Sequence, residues 1–464
     1  MDKVIGFHSE WNLGSPGGWD YQRITQIIGK EIWEKHFSGA LDVILDFDHP
    51  FLHPVNNFVD MLTEAHRLRE GLNPGLIAVV AEEETLEDVT ENRNLVDHLN
   101  AVAGISSALM APHELELQKG RVSWRGQLVS VIFMDFNTDV LLTLHRKLKL
   151  APLLQAVWEG RVINPRGTEP INSKSMFEVI TDPRNKYRFH EETILRTPWT
   201  RQFYPRKTEG PEGEQISHLV EWTRANWDNL VLKPERGYSG KGVSVGGINH
   251  DVDTIIEGAL NNGEYGGYIV QEKVPLSLWT EKIPELDYEN NVVKESECQT
   301  DFRCLFGQKG LFGFLCRYGG VPTNVGSGGG VQPLAVIDSK MGIGEATERI
   351  NDHILKKGYD EVLEAVEYQE EMALEHEFTY LLGPIKIALR PRLITTGQMK
   401  ALASYCSAIW ADCLTLEEMW FADELNVIRD MDPDELILVK AQPWRGAPAI
   451  FASDGLFSFG AHVK

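Results

Sequence analysis

The alternation of apolar and polar positions divides the chain into regions of different period. Apolar runs such as VILDF (43 to 47), LIAVVA (76 to 81) and LVSVIFMDF (128 to 136) read as strands. Between them, NNFVDMLTEAHRLREGL repeats its apolar residues at helical spacing, and this alternation predicts an α/β layer. A polar, Pro-rich stretch from Asn164 to Thr200 leads into a second region, where NLVLKP, GYIVQE and GLFGFLCRYGG read as strands separated by glycine turns. After Asp338 the pattern turns acidic and helical over 343 to 378. Met399, Leu402, Cys406, Ile409 and Cys413 then recur at helical spacing near Gly397. Residues 414 to 464 are expected to return to short mixed elements, with LILVK and GLFSFG as strands.

A length of 464 residues exceeds what one core usually organises, so two or three α/β subdomains around a shared cleft are expected. With 42% apolar and 24% charged residues the composition is that of a folded globular chain. The net charge of −23 repels a polyanion, and no basic stripe compensates, which excludes nucleic acid as a partner. Cys298, Cys304, Cys316, Cys406 and Cys413 form no CxxC pair, and their odd number fits a reducing cytoplasm. The start, MDKVIGFHSEWN, lacks signal-peptide features, and no apolar run approaches the roughly 20 residues that span a bilayer. The reading is a soluble, cytoplasmic protein with no membrane partner.

The most informative segment is NLVLKPERGYSGKGVSVGG. An apolar strand delivers Lys233, and a loop follows with Gly237, Gly240, Gly242, Gly246 and Gly247. Glycines let backbone N–H groups converge on anionic oxygens, and Lys233 and Lys241 supply charge, so the segment suits phosphate. A Walker loop would need Ser or Thr after Lys241, where Gly242 stands, and the kinase GxGxxG spacing is missing. The alternative is an ordinary glycine-rich hairpin. Downstream, GYIVQEKVPL ends in Gln271, Glu272, Lys273 and Val274, an edge suited to an adenine ring. RYGGVPTNVGSGGG joins Arg317 and Asn324 to a second glycine cluster.

Near the start, FHSEWNLGSPGG sets Glu10 and Asn12 two apart at the end of a strand, hence on one face. Two oxygen side chains so placed can ligate Mg²⁺, which takes its other ligands from phosphates and water; a solvated strand end is the alternative. Asp46, Asp48, His49 and His53 in DFDHPFLHP are read as a Pro-bounded loop rather than a metal site. Asp301 and Arg303 alternate in TDFRCLF, so Arg303 either contacts a phosphate or carboxylate or pairs with Asp301.

The ordered run of Glu10-Trp-Asn12 with SPGG, then INSKSM, TPWTR, LVLKP with GYSGKGV, IVQEKV and NVGSGGG resembles the circularly permuted ATP-grasp family related to glutathionylspermidine synthases, over about residues 5 to 337. The resemblance implies mixed α/β sheets: residues 1–160 as a metal-binding strand with a substrate domain, 161–338 as the nucleotide-binding region with its lid, and 339–464 as a helical and mixed region completing the core. It implies ATP and Mg²⁺, with Lys174 reaching the α-phosphate and Lys233 on the lid strand. Gly237, Gly240, Lys241 and Gly242 resemble the lid loop, Glu272, Lys273 and Val274 the adenine hinge, and Glu10 and Asn12 the metal pair. Arg317 and Asn324 fall where the family places groups near the transferred phosphate. The family's second magnesium carboxylate comes from an Arg-x-Asp stretch before ExN. Here similar material, RPRLI and APAIFASDGLFSF, lies at the C-terminal end with Ala449 at the expected Asp, so Asp454, Asp301 or Asp2 is the substitute.

The implied activity is an ATP-dependent carboxylate-amine ligase, forming an amide through an acylphosphate on a small amino acid or peptide. A nucleotide-binding pseudo-enzyme, a small-molecule kinase on the same scaffold and a non-nucleotide structural protein are the alternatives. The identity of the substrates and the oligomeric state are open at this point.

Overall fold

The computed structural model describes residues 4–39, 43–70, 75–101, 104–237, 240–261, 266–321, 323, 325, 328–337, 341–380, 383–425, 427–428 and 431–460. Strand β1 (Ile5–Asn12) is followed by helices α1 (Trp19–Ile32) and α2 (Pro54–Glu70). Then comes an α/β layer of β2 (Leu76–Val80), α3 (Thr90–Asn100), β3 (Ser107–Met110), β4 (Gln127–Met134) and the short β5 (Val162–Ile163). These four strands run parallel in the order β3-β2-β4-β5. Every residue of β2 is buried, as a parallel strand covered on both faces requires.

A second, antiparallel sheet uses β6 (Thr200–Gln202), β7 (Leu230–Pro234), β8 (Ser244–Val245) and β9 (Tyr268–Glu272), ordered β8-β7-β9-β6. The third sheet contains β10 (Thr280–Asp287), β11 (Val292–Gly307), β12 (Gly310–Gly319) and β13 (Gly330–Val331). Helices α4 (Ile343–Lys357), α5 (Tyr359–Glu375), α6 (Thr396–Phe421) and α7 (Pro433–Ala441) precede β14 (Phe451–Ser458), which enters that third sheet between β1 and β11. The order is β1-β14-β11-β12-β13, all antiparallel, with β10 also on β11. Phe302 packs against Phe314 and Phe459 at centroid distances of 4.8 and 4.9 Å, and each such buried ring contributes roughly 1.5–3 kcal/mol.

The molecule is mixed α/β with several sheets, as its alternating pattern predicts. Two expectations in the C-terminal part are corrected. LILVK is helical, inside α7, because Asp432 accepts from the Asp434 N–H (2.8 Å) and Pro433 stands at the first helical position. The helix expected around Met399 to Cys413 runs on to Phe421, started by a capping box in which Thr395 and Gln398 each accept the other's backbone N–H. In VILDF only Leu45–Asp46 pairs as a strand. Among the described residues no helix is long and apolar enough to cross a membrane.

Candidate active site

Strand register gathers charge on one face of the third sheet. Glu10 on β1 lies opposite Asp454 on β14, Asp454 opposite Arg303 on β11, and Asp301 opposite Arg317 on β12. Directly opposed residues share a face, and Asp301 and Arg303 are two apart, so all five side chains stand together. Arg303 donates to both Asp454 oxygens (2.5 and 2.7 Å) and to the Gly17 carbonyl (2.7 Å). Arg317 donates twice to Asp301 (2.8 Å each) and once to Asp454 (3.1 Å), and the Thr323 hydroxyl donates to Asp301 (2.6 Å). Arg303 therefore takes Asp454 as partner, and Asp301 takes Arg317. Burial would raise the Asp454 carboxyl, but Arg303 and Arg317 outweigh it and hold the group well below the usual carboxylate range. Asn12 reaches the same carboxylate through Nδ2 at 3.3 Å.

The second sheet presents its lysine from above this face. Lys233 on β7 donates to the Ser9 carbonyl (3.1 Å) and to Gln271 Oε1 (2.8 Å), while Gln271 Nε2 donates to Thr200 (2.9 Å). Burial lowers the Lys233 ammonium to about 8; nearby Glu10 opposes this and Lys174 reinforces it. Lys174, itself buried, has its Nζ 3.2 Å from Glu10 and donates to the Gly237 carbonyl (2.7 Å). Glu10 and Asn12 are thus next to the lysines rather than at a solvated strand end.

Glycine is required in the loop for identifiable reasons. Gly240 and Gly242 both have φ of +72°, and a Cβ on Gly246 would come within 1.7 Å of the Trp227 carbonyl. Lys241 is exposed. Gln271 to Val274 form no free edge: β9 is an inner strand between β7 and β6, and the amides of Glu272 and Lys273 already donate to Trp199 (2.9 Å) and Asn229 (2.8 Å). The Lys273 ammonium holds the Gly246 carbonyl (2.8 Å). Asn324 lies outside the described residues.

Two cavities meet at Glu10 and Arg317, which line both. The first, of about 150 Å³, is walled by Lys233, Gln271 to Val274, Gly240, Trp279 and Asp454, with Val231, Val243 and Val245 as its apolar side. The second, of about 410 Å³, extends from Arg303 and Asn12 toward Glu82, Glu91, Asp135 and Asn137. Burial raises the Glu91 carboxyl to about 8 against the lowering effect of the Gly18 and Asp20 N–H groups. Burial also raises Asp135 to about 6, opposed by the Asn92 amide and reinforced by Glu82. Sequence reading did not single out these acids. Their signal was position, since Glu82 and Asp135 follow the carboxyl ends of the parallel strands β2 and β4, where ligands of open α/β sheets bind.

The DFDHPFLHP side chains are used within their own surroundings. Asp48 pairs with Lys30 (2.5 Å), His49 accepts from Phe51 N–H (3.3 Å) and His53 is bonded to the Phe47 carbonyl (3.2 Å). Among the described residues no group of three or more His, Cys, Asp or Glu side chains forms a metal cluster.

No protein-family model matches the sequence, and no curated protein matches it. Among solved structures, an apo glutathione synthetase-like effector from Globodera pallida aligns at 12% identity over 69% of each chain, with a TM-score of 0.39. A RimK-domain ATP-grasp protein from Sphaerobacter thermophilus aligns at 15% identity over 73% of this chain and 98% of its own, with a TM-score of 0.29. These superpositions are loose. The functional reading rests instead on the arrangement of side chains.

Proposed function

We propose that this chain is an ATP-dependent carboxylate-amine ligase of the circularly permuted ATP-grasp type, acting through an acylphosphate on a small amino-acid or peptide substrate. The observation that carries the reading is the junction of the two cavities, where Lys174 and Lys233 approach Glu10 from one side and Arg317 from the sheet below. Such a junction supports nucleotide on the lysine side, with the carboxylate that becomes the acyl donor at the junction and the amine that accepts the acyl group on the acidic side. The first cavity is smaller than the roughly 300–1,000 Å³ of typical ligand sites, so nucleotide entry must widen it.

Magnesium fits the donor set. Glu10, Asn12 and Asp454 are hard oxygen donors on neighbouring strands; Asn12 turns its amide nitrogen to Asp454 Oδ2, leaving its own oxygen to offer, and Asp454 Oδ1, which accepts from Arg303 alone, is the less occupied of that carboxylate's two oxygens. These three residues would hold the ion, which when bound neutralises phosphate charge. Asp454, from the C-terminal part of the chain, takes the place of the carboxylate expected ahead of ExN and supports a further rearranged segment order.

In the proposed reaction a substrate carboxylate attacks the γ-phosphorus of ATP and releases ADP; the amine then displaces phosphate from the acylphosphate. No protein nucleophile is required. Lys233, Arg317 and glycine-loop N–H groups offset charge on the transferring phosphoryl group, Lys174 holds the α-phosphate, and the cleft walls hold the reactants in line. Glu82, Glu91 and Asp135 would favour a cationic amine in the far end of the second cavity.

The test is a screen of amino acids and peptides in pairs, reading ADP release and product mass together. ADP formed only when a carboxylate and an amine are both present, with a product of the condensed mass, is the expected result. A stable phosphorylated product without amide would replace the ligase by a kinase. A second reading, nucleotide binding without turnover, draws on the engagement of both Asp454 oxygens by Arg303 and Arg317. Stabilisation by Mg-ATP with no ADP from any pair would select it.

A further inference from the structure

Lys174 is held at both ends by one short backbone segment. Its N–H donates to the Glu235 carbonyl (3.0 Å) and its ammonium to the Gly237 carbonyl (2.7 Å). The residue between those carbonyls, Arg236, meets Glu435 through a two-point ion pair, Nη1 to Oε2 at 2.9 Å and Nη2 to Oε1. The Glu435 side chain is only 2% exposed and that of Arg236 23%. Glu435 sits in the first turn of α7, which packs on the Arg166–Thr168 turn. On the other side, Glu235 receives the Gln202 amide (3.0 Å) and its N–H donates to the Gly267 carbonyl (2.9 Å).

We infer that Arg236 and Glu435 are positioning residues for Lys174: their buried pair fixes the Glu235 to Gly237 backbone and so sets the Lys174 ammonium beside Glu10 at the cavity junction. A bidentate guanidinium-carboxylate pair fixes direction as well as distance, which a lysine in place of Arg236 could not reproduce. The functional consequence rests on the nucleotide-site reading given above; the mechanical link from Glu435 to Lys174 does not.

The experiment has two arms, on wild type and on Arg236→Met, Arg236→Lys and Glu435→Gln. In the first, without nucleotide, the proteins are treated with an N-hydroxysuccinimide acetate and acetylation is followed peptide by peptide. Lys174 is expected to acetylate at least about threefold faster in Arg236→Met and Glu435→Gln, with Arg236→Lys between, because its two carbonyl anchors loosen. Lys309, whose side chain is 70% exposed, serves as the reference and should keep its rate. Lys174 acetylating at the wild-type rate in folded Glu435→Gln overturns the inference, and this milder variant decides the matter should Arg236→Met fail to fold. In the second arm, KM for Mg-ATP is expected to rise about tenfold with a much smaller change in KM for the other substrates. A KM for Mg-ATP unchanged beside faster acetylation would overturn the positioning role in the reaction. Wild type that neither binds nor turns over Mg-ATP would refute the ligase proposal alone, leaving the first arm to decide the link to Lys174.

Discussion

The two cavities that share Glu10 and Arg317 both carry acids, but only one of them adds lysines, Lys233 and Lys273. One is walled by the antiparallel sheet that carries Lys233 and by the glycine loop; the other ends in Glu82, Glu91 and Asp135 at the tips of a parallel layer. A net charge of −23 says nothing of this division. Global charge works against a long polyanion, yet the chain sets a few cations where a small one could sit and leaves acids where a cation could sit. The difference teaches that partner chemistry has to be read cavity by cavity.

The largest effect expected from breaking the lysine side is that of Lys233→Ala. ADP release should fall by about a hundredfold to a thousandfold, while the melting temperature stays near wild type. Undiminished ADP release with carboxylate and amine at saturation would remove Lys233 from the mechanism. At the shared wall, Asp454→Asn leaves the Arg303 guanidinium without its carboxylate, while Arg317 keeps Asp301, and is expected to cost about 3 kcal/mol in denaturant unfolding. The sign with pH follows from the depressed Asp454 carboxyl. Its contribution is present above the unfolded carboxylate value of about 4 and is lost as pH falls toward the folded value, so wild type and variant should converge in strong acid. A difference that persists unchanged there would contradict this account.

The acidic side should respond to pH in the opposite sense from the lysine side. As pH rises from about 6 to about 8, Asp135 and then Glu91 ionise in the free protein, so KM for a cationic amine should fall. Lys233 loses its proton as pH passes about 8, so kcat/KM for Mg-ATP should decline above that point. Asp135→Asn is expected to raise KM for the amine by roughly threefold to tenfold and to leave KM for Mg-ATP alone; equal effects on both would erase the distinction between the cavities. The smallest change is that of Lys241→Ala. This exposed side chain should alter KM for Mg-ATP by no more than about threefold, as rates at several salt concentrations would show.

Features held within one strand and the turn after it were legible in the sequence. LVLKP followed by glycines announces a lysine delivered to a loop, and Glu10 with Asn12 announces a shared face. Pairing between distant segments was not. Asp454 stood only as one option beside Asp301 and Asp2, because nothing local in SDG says that β14 slots next to β1. Gln271 and Glu272, foreseen as an edge, belong to an inner strand because the distant segment Thr200–Gln202 pairs beside them, which nothing local in GYIVQE announces. LILVK misled for another reason, since five apolar residues fit either period, and the Asp432-Pro433 start signal settles it in favour of helix.

The placement of β14 between β1 and β11 carries a consequence for biosynthesis. Glu10 leaves the ribosome long before its facing residue, Asp454, so the charged face cannot assemble until β14 has been translated. Until then β1 and β11 each present an unpaired edge, open to pairing with the wrong strand.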